Sequence, residues 1–137
     1  MLVQSYQFFD GRCDEAITFY QGALDAEVTM LMRFKDNPEP EENGGIRPGT
    51  EDKVMHAQMR IGDTDILLSD GRCTGQPNFQ GSALAVTFDD EAEAERRFAA
   101  LADGGQVVMP LAKTFFSPRF GMLNDRFGVA WMILVRH

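Results

Sequence analysis

The chain has 137 residues, 44% of them hydrophobic and 25% charged, with 21 acidic against 13 basic side chains for a formal net charge of −8. That length and composition fit one folded domain with a proper core, and no apolar run approaches the roughly 18 residues of a membrane helix. The negative charge argues against nucleic acid and anionic membrane surfaces as partners and suits a neutral or cationic small molecule.

The opening residues, Met1-Leu2-Val3-Gln4-Ser5-Tyr6, carry no basic segment leading into an apolar stretch. No secretory signal is therefore expected, and the expected location is cytoplasmic. Cys13 and Cys73 are the two cysteines, and neither lies in a CxxC or Cys/His spacing. Neither a disulfide framework nor a structural zinc site is expected.

A first strand is predicted over Val3–Phe9, ending at Asp10-Gly11-Arg12. Cys13, Ile17, Tyr20 and Leu24 then recur at helical spacing, with Asp14 and Glu15 placed to complement the dipole of the first turn. A second strand is expected from about Glu27 to Lys35. Residues 36–53 hold three prolines, three glycines and several acids, which reads as a long mobile loop, either a functional lid or a disordered insertion. Strands at Val54–Ile61 and Thr64–Ser69 follow, joined by a Gly62-Asp63 turn. Residues 71–81 read as a linker.

The second half repeats the order. Ser82–Phe88 alternates as a strand, and a helix over Asp90–Ala102 buries Ala94, Phe98 and Leu101. Asp103-Gly104-Gly105 stops it. Strands near Gln106–Pro110, Arg119–Asn124 and Val129–Val135 complete the set. Glu15-Ala16 before Tyr20 matches Glu93-Ala94 before Phe98, so the pattern reads as an internal duplication. The domain reading is a first βαβββ module at 1–70, the linker at 71–81, and a second module at 82–137.

Several local motifs occur in one order along nearly the whole chain. They are Phe8-Phe9-Asp10-Gly11-Arg12-Cys13-Asp14-Glu15-Ala16 with Phe19-Tyr20, then Lys53-Val54-Met55-His56-Ala57, Ile61-Gly62-Asp63 and Ser69-Asp70, then Phe120-Gly121-Met122 and Asp125-Arg126-Phe127-Gly128-Val129-Ala130-Trp131. The chain thereby resembles the PhnB-like branch of the vicinal oxygen chelate superfamily, which includes glyoxalase I, bleomycin-resistance proteins and extradiol dioxygenases. The resemblance implies an α+β fold in which paired βαβββ modules form a cupped mixed sheet, often completed as a homodimer.

Metal-dependent members use a ligand from the first and last strand of each module. The equivalent positions here are Gln4, Leu67 or Leu68, Ala83 and Met132, none a good ligand for a divalent ion. Their neighbours Val3, Ser5, Ser82, Leu84, Trp131 and Ile133 do not improve the set, so no metal is expected. Members of this branch often carry a demethylubiquinone methyltransferase label. No glycine-rich strand-to-helix turn cradles a nucleotide-like cofactor in this sequence, and no cofactor is expected.

The candidate ligand-binding residues are Tyr6, His56, Asp70, Phe116, Arg119 and Trp131. His56, one of two histidines, could serve as general base or hydrogen-bond partner, or be an ordinary strand histidine. Arg119 follows Phe115-Phe116-Ser117-Pro118, where a guanidinium suits a carboxylate or planar ligand; the alternative is a surface ion pair. Asp70 sits at a strand end, where such a residue also makes turns. Tyr6 and Trp131 could line a cavity or fill the core. Cys13 stands at a helix N-terminus that favours a thiolate, but on a face whose burial opposes one.

Three functions remain open. The first is a small-molecule binder using the cup of the sheet without the usual metal. The second is a glyoxalase-type lyase or isomerase, and the third a structural module without a ligand.

Overall fold

The computed structural model describes residues 1–39 and 45–137. The chain divides into two compact units, Met1–Pro77 and Asn78–His137, with the boundary inside the segment read as a linker. The expected strand–helix–strand–strand–strand order is present in both, giving two four-stranded mixed sheets and two α-helices among the described residues. No helix among the described residues is long and apolar enough to cross a membrane.

The first unit comprises β1 (Tyr6–Phe8), α1 (Cys13–Leu24), β2 (Glu27–Arg33), β3 (Val54–Ile61) and β4 (Thr64–Ser69). The sheet order is β1-β4-β3-β2, with β1 parallel to β4 and the other pairs antiparallel. Strand β1 is shorter than predicted, because its ladder with β4 spans only three residues. It ladders with β4 from Tyr6↔Leu67 to Phe8↔Ser69, and Met1, Leu2 and Val3 lie exposed beyond it. Strand β2 also stops early, at Arg33, where the Asp36 carboxylate accepts from the Arg33 amide at 3.0 Å and closes a 3-10 turn over Phe34–Asp36.

Helix α1 buries Cys13, Ala16, Ile17, Tyr20, Ala23 and Leu24, the face its spacing predicted. It packs on β3, and the sheet offers Ala57, Met59, Ile66 and Leu68 as buried partners. Burying each large side chain of this kind contributes about 1.5–3 kcal/mol.

The acidic segment is only partly within the described residues, since 40–44 fall outside them. Its later part is folded against the ends of β2 and β3 rather than loose. The Phe34 amide donates to the Lys53 carbonyl at 3.1 Å, Lys35 N–H to Glu51 O at 3.0 Å, and Lys53 N–H to Thr50 O at 2.9 Å. The start of the linker is also fastened down. The Asp10 carboxylate accepts from the amides of Thr74 (2.5 Å) and Gln76 (2.8 Å) and from the Thr74 hydroxyl.

The second unit comprises β5 (Leu84–Phe88), α2 (Glu91–Ala102), β6 (Gln106–Ala112), β7 (Phe120–Asn124) and β8 (Ala130–Val135), in sheet order β5-β8-β7-β6. Asp90 caps α2 by accepting from Ala92 N–H at 3.4 Å and Glu93 N–H at 3.2 Å. Ala94, Phe98 and Leu101 are buried, and Gly104 takes the left-handed conformation at φ +79° just beyond the helix. Each sheet ends in an edge strand, β2 or β6, whose apolar side chains are exposed, among them Met30 and Val108.

Gly121, inside one of the family-like motifs, is where α2 approaches β7. A Cβ there would lie 2.8 Å from Phe98 Cε2 and 3.0 Å from the Met109 carbonyl oxygen. Gly121→Ala is therefore expected to overpack the second unit and lower its unfolding free energy by about 1–3 kcal/mol. Urea denaturation measures this, and a variant as stable as the parent would show that α2 yields without cost.

Candidate functional site

The face of the first sheet turned away from α1 carries an exposed aromatic cluster. Tyr6 and Phe8 lie two residues apart on β1 and so share a face. Their rings stack with centroids 4.9 Å apart, and they are 37% and 54% exposed. The register puts Leu67 and Ser69 beside them on β4. One strand further, the Tyr6 hydroxyl and His56 Nδ1 share a hydrogen bond of 2.8 Å, with ring centroids 5.5 Å apart. Which of the two donates depends on the imidazole tautomer. Burial raises the Tyr6 phenol above its ordinary value, opposed by a hydrogen bond from Ser69. Met32 pairs with His56 across β2 and β3 and extends the surface with a soft apolar side chain.

The other sequence candidates have different surroundings. Asp70 is fully buried. Its Oδ1 accepts from the amides of Gly11 (2.9 Å) and Cys13 (2.7 Å), and its Oδ2 from Val54 N–H (2.7 Å). This carboxylate serves the module's own backbone in place of the ligand contact proposed from sequence. Trp131 is likewise in the core, 2% exposed, with its indole N–H donating to Asp125 Oδ2 at 2.9 Å. Arg119 pairs with Glu95 of α2, Nη2 to Oε1 at 2.7 Å, which is the ion-pair alternative. Phe116 is 45% exposed in the second unit and packs edge-on against Phe115 and Phe120. So the fold joins Tyr6 to His56, and places Phe8, Leu67, Ser69 and Met32 around them. The alternation Tyr6-Gln7-Phe8 could have flagged Phe8; the β2 and β4 neighbours needed the register.

The positions equivalent to the family's metal ligands do not fit a divalent ion. The Gln4 amide nitrogen donates to the Asp65 carbonyl at 3.4 Å, Leu68 is fully buried, and Leu67, Ala83 and Met132 bring no oxygen or nitrogen donor. Among the described residues no group of three or more His, Cys, Asp or Glu side chains could hold a metal ion. At the helix N-termini some amides already meet carboxylates of the chain itself, Cys13 N–H at Asp70 and the Ala92 and Glu93 N–H groups at Asp90. Burial, followed by the nearby Asp70 charge, pushes the Cys13 thiol far above its ordinary value, so the helix dipole does not produce a thiolate there.

Residues 3–133 match a family model described as the Glyoxalase/Bleomycin resistance protein/Dioxygenase superfamily. Protein YjdN of Escherichia coli K12 is 33% identical, over 98% of this chain and 95% of its own length. Among solved structures, PA1353 from Pseudomonas aeruginosa is 35% identical with a TM-score of 0.85, covering 99% of this chain and 98% of its own. A PhnB protein from Bacillus cereus, described as a putative 3-demethylubiquinone-9 3-methyltransferase, is 28% identical with a TM-score of 0.81, covering 98% and 99%.

Proposed function

The chain belongs to the Glyoxalase/Bleomycin resistance protein/Dioxygenase superfamily, on its PhnB-like branch, and from that premise we propose that it binds a small molecule without the metal that metal-dependent members of the superfamily use. The observation that carries this reading is the Tyr6–His56 hydrogen bond inside an exposed aromatic patch. Large apolar area with one oriented polar pair is the usual composition of a small-molecule site. The stacked rings offer a π-face to a planar or cationic group, and the net charge of −8 favours a cation. The methyltransferase description given to the Bacillus cereus protein finds no support in the sequence, which has no glycine-rich strand-to-helix turn to cradle a nucleotide-like cofactor.

A ligand of the folded state raises the melting temperature, so a thermal-shift screen of neutral and cationic metabolites identifies it. Tyr6→Phe and His56→Ala are then expected to weaken binding by about tenfold each, the equivalent of one hydrogen bond of about 1.4 kcal/mol. Both variants should remain folded, since the pair is only partly buried. A ligand that binds both variants as tightly as the parent would move the site elsewhere.

The same pair supports a glyoxalase-type lyase or isomerase as the second reading. With Nδ1–H donating to the tyrosine oxygen, Nε2 is left as the ring's proton acceptor, a workable general base. Turnover that disappears in folded His56→Ala would favour this reading, whereas binding without turnover favours the first.

A further inference from the structure

Beyond the ends of β2 and β4 the first unit contains a cavity of about 260 Å³, lined by Phe34, Arg47, Thr50, Gly71, Arg72 and Cys73, among others. None of its lining residues belongs to the Tyr6–His56 face. We infer that this cavity is a second binding site, specific for a small oxyanion, the carboxylate or phosphate group of a metabolite.

In a chain with 21 acidic against 13 basic side chains, two arginines lining one small cavity run against the composition. Among the described residues no carboxylate forms an ion pair with either of them. One N–H of Arg47 donates to the Arg72 carbonyl, which ties the two walls together and pre-sets the guanidinium. The remaining N–H donors of its planar fork match the spacing of carboxylate and phosphate oxygens. The Thr50 hydroxyl donates to the Arg47 carbonyl at 2.7 Å and fixes the 47–50 turn that carries this arginine.

The surrounding carboxylates do not compete strongly. Asp10 lies within the field of Arg47, but its oxygens accept from Thr74 and Gln76. Asp70 is enclosed by the amides of Gly11, Cys13 and Val54. Lys53, held by the Gly11 carbonyl at 2.8 Å, adds a third cation at this end of the unit. A cavity of this size lies just below the about 300–1,000 Å³ of drug-sized pockets, so it suits a ligand of few heavy atoms.

Cys73 makes the site measurable. Cys73 lines the cavity and is half-buried, while Cys13 is fully buried, so Cys73 is the more open of the two to reagent in the folded chain. Burial and Asp70 push the Cys73 thiol up against the opposing charges of Lys53 and Arg47, so the reaction is run at mildly alkaline pH. The experiment follows modification of the full chain by the uncharged reagent N-ethylmaleimide, using mass spectrometry. Inorganic phosphate and succinate are added in separate arms, and sodium chloride at matched ionic strength is the control.

Saturable slowing is expected, about tenfold when the anion is present at about ten times its Kd. Protection by phosphate points to a phosphate group and protection by succinate to a carboxylate; either result supports the site. Arg47→Ala with Arg72→Ala should abolish protection while Cys73 still reacts. The single Arg72→Ala variant, at an exposed position where stability changes little, should weaken it. Slowing no greater than with chloride, or protection that survives the double substitution, would overturn the inference. Neither outcome bears on the Tyr6–His56 site.

Discussion

Replacing Asp70 with alanine is expected to destabilise the first unit by about 3–5 kcal/mol, a loss comparable to breaking a buried ionic contact. Asp70 joins three segments that are distant in sequence. Its carboxylate holds the β1–α1 turn through Gly11 and Cys13, and the start of β3 through Val54. Its own amide donates back to the Val54 carbonyl at 2.8 Å, so the two residues bind each other reciprocally. Alanine leaves three amide N–H groups without an acceptor, two of them buried at Cys13 and Val54. Asp70→Asn separates hydrogen bonding from charge. One amide oxygen can still serve Gly11 and Cys13, but the NH₂ group then faces Val54 N–H, so about half the loss is expected. Urea unfolding followed by far-UV circular dichroism measures both variants. A D70A protein within about 1 kcal/mol of the parent would show that water replaces the carboxylate, against the role assigned here.

The second large effect is expected at Trp131. It is the largest of the fully buried side chains, and its N–H donates to the buried Asp125 carboxylate. The other Asp125 oxygen accepts from Phe127 N–H at 2.9 Å and Val129 N–H at 3.0 Å, forming the turn that leads into β8. Trp131→Phe removes the donor, leaves a cavity and deprives a buried carboxylate of a partner. A loss of about 2–4 kcal/mol is expected. The chain has one tryptophan, so unfolding of this variant is followed by circular dichroism. The ligand-lining role proposed from sequence makes a different forecast, namely weaker binding at unchanged stability. Measuring ligand affinity and unfolding on the same preparation distinguishes the two.

Much of the fold was legible because burial imposes a period on each element. Cys13, Ile17, Tyr20 and Leu24, and later Ala94, Phe98 and Leu101, announced which faces of α1 and α2 would be buried. The bounds of β3 and β4 followed from apolar runs and the turn between them. Partnerships were less legible, because residue type does not state which strand lies beside which. Asp70 looked like a turn residue at a strand end, and Arg119 like an aromatic-flanked cation, until the fold brought three amides to one and Glu95 to the other.

The sequence by itself therefore determined the family, the duplicated βαβββ order, the helix faces and the unsuitable residues at the ligand positions, since each is written in local pattern or motif. Only the tertiary structure decided that Tyr6 meets His56 across 50 residues, and that two of the six candidate side chains, Asp70 and Trp131, belong to the core. The physical reason is the order β1-β4-β3-β2, which sets cross-strand register through hydrogen bonds between segments that no local periodicity connects.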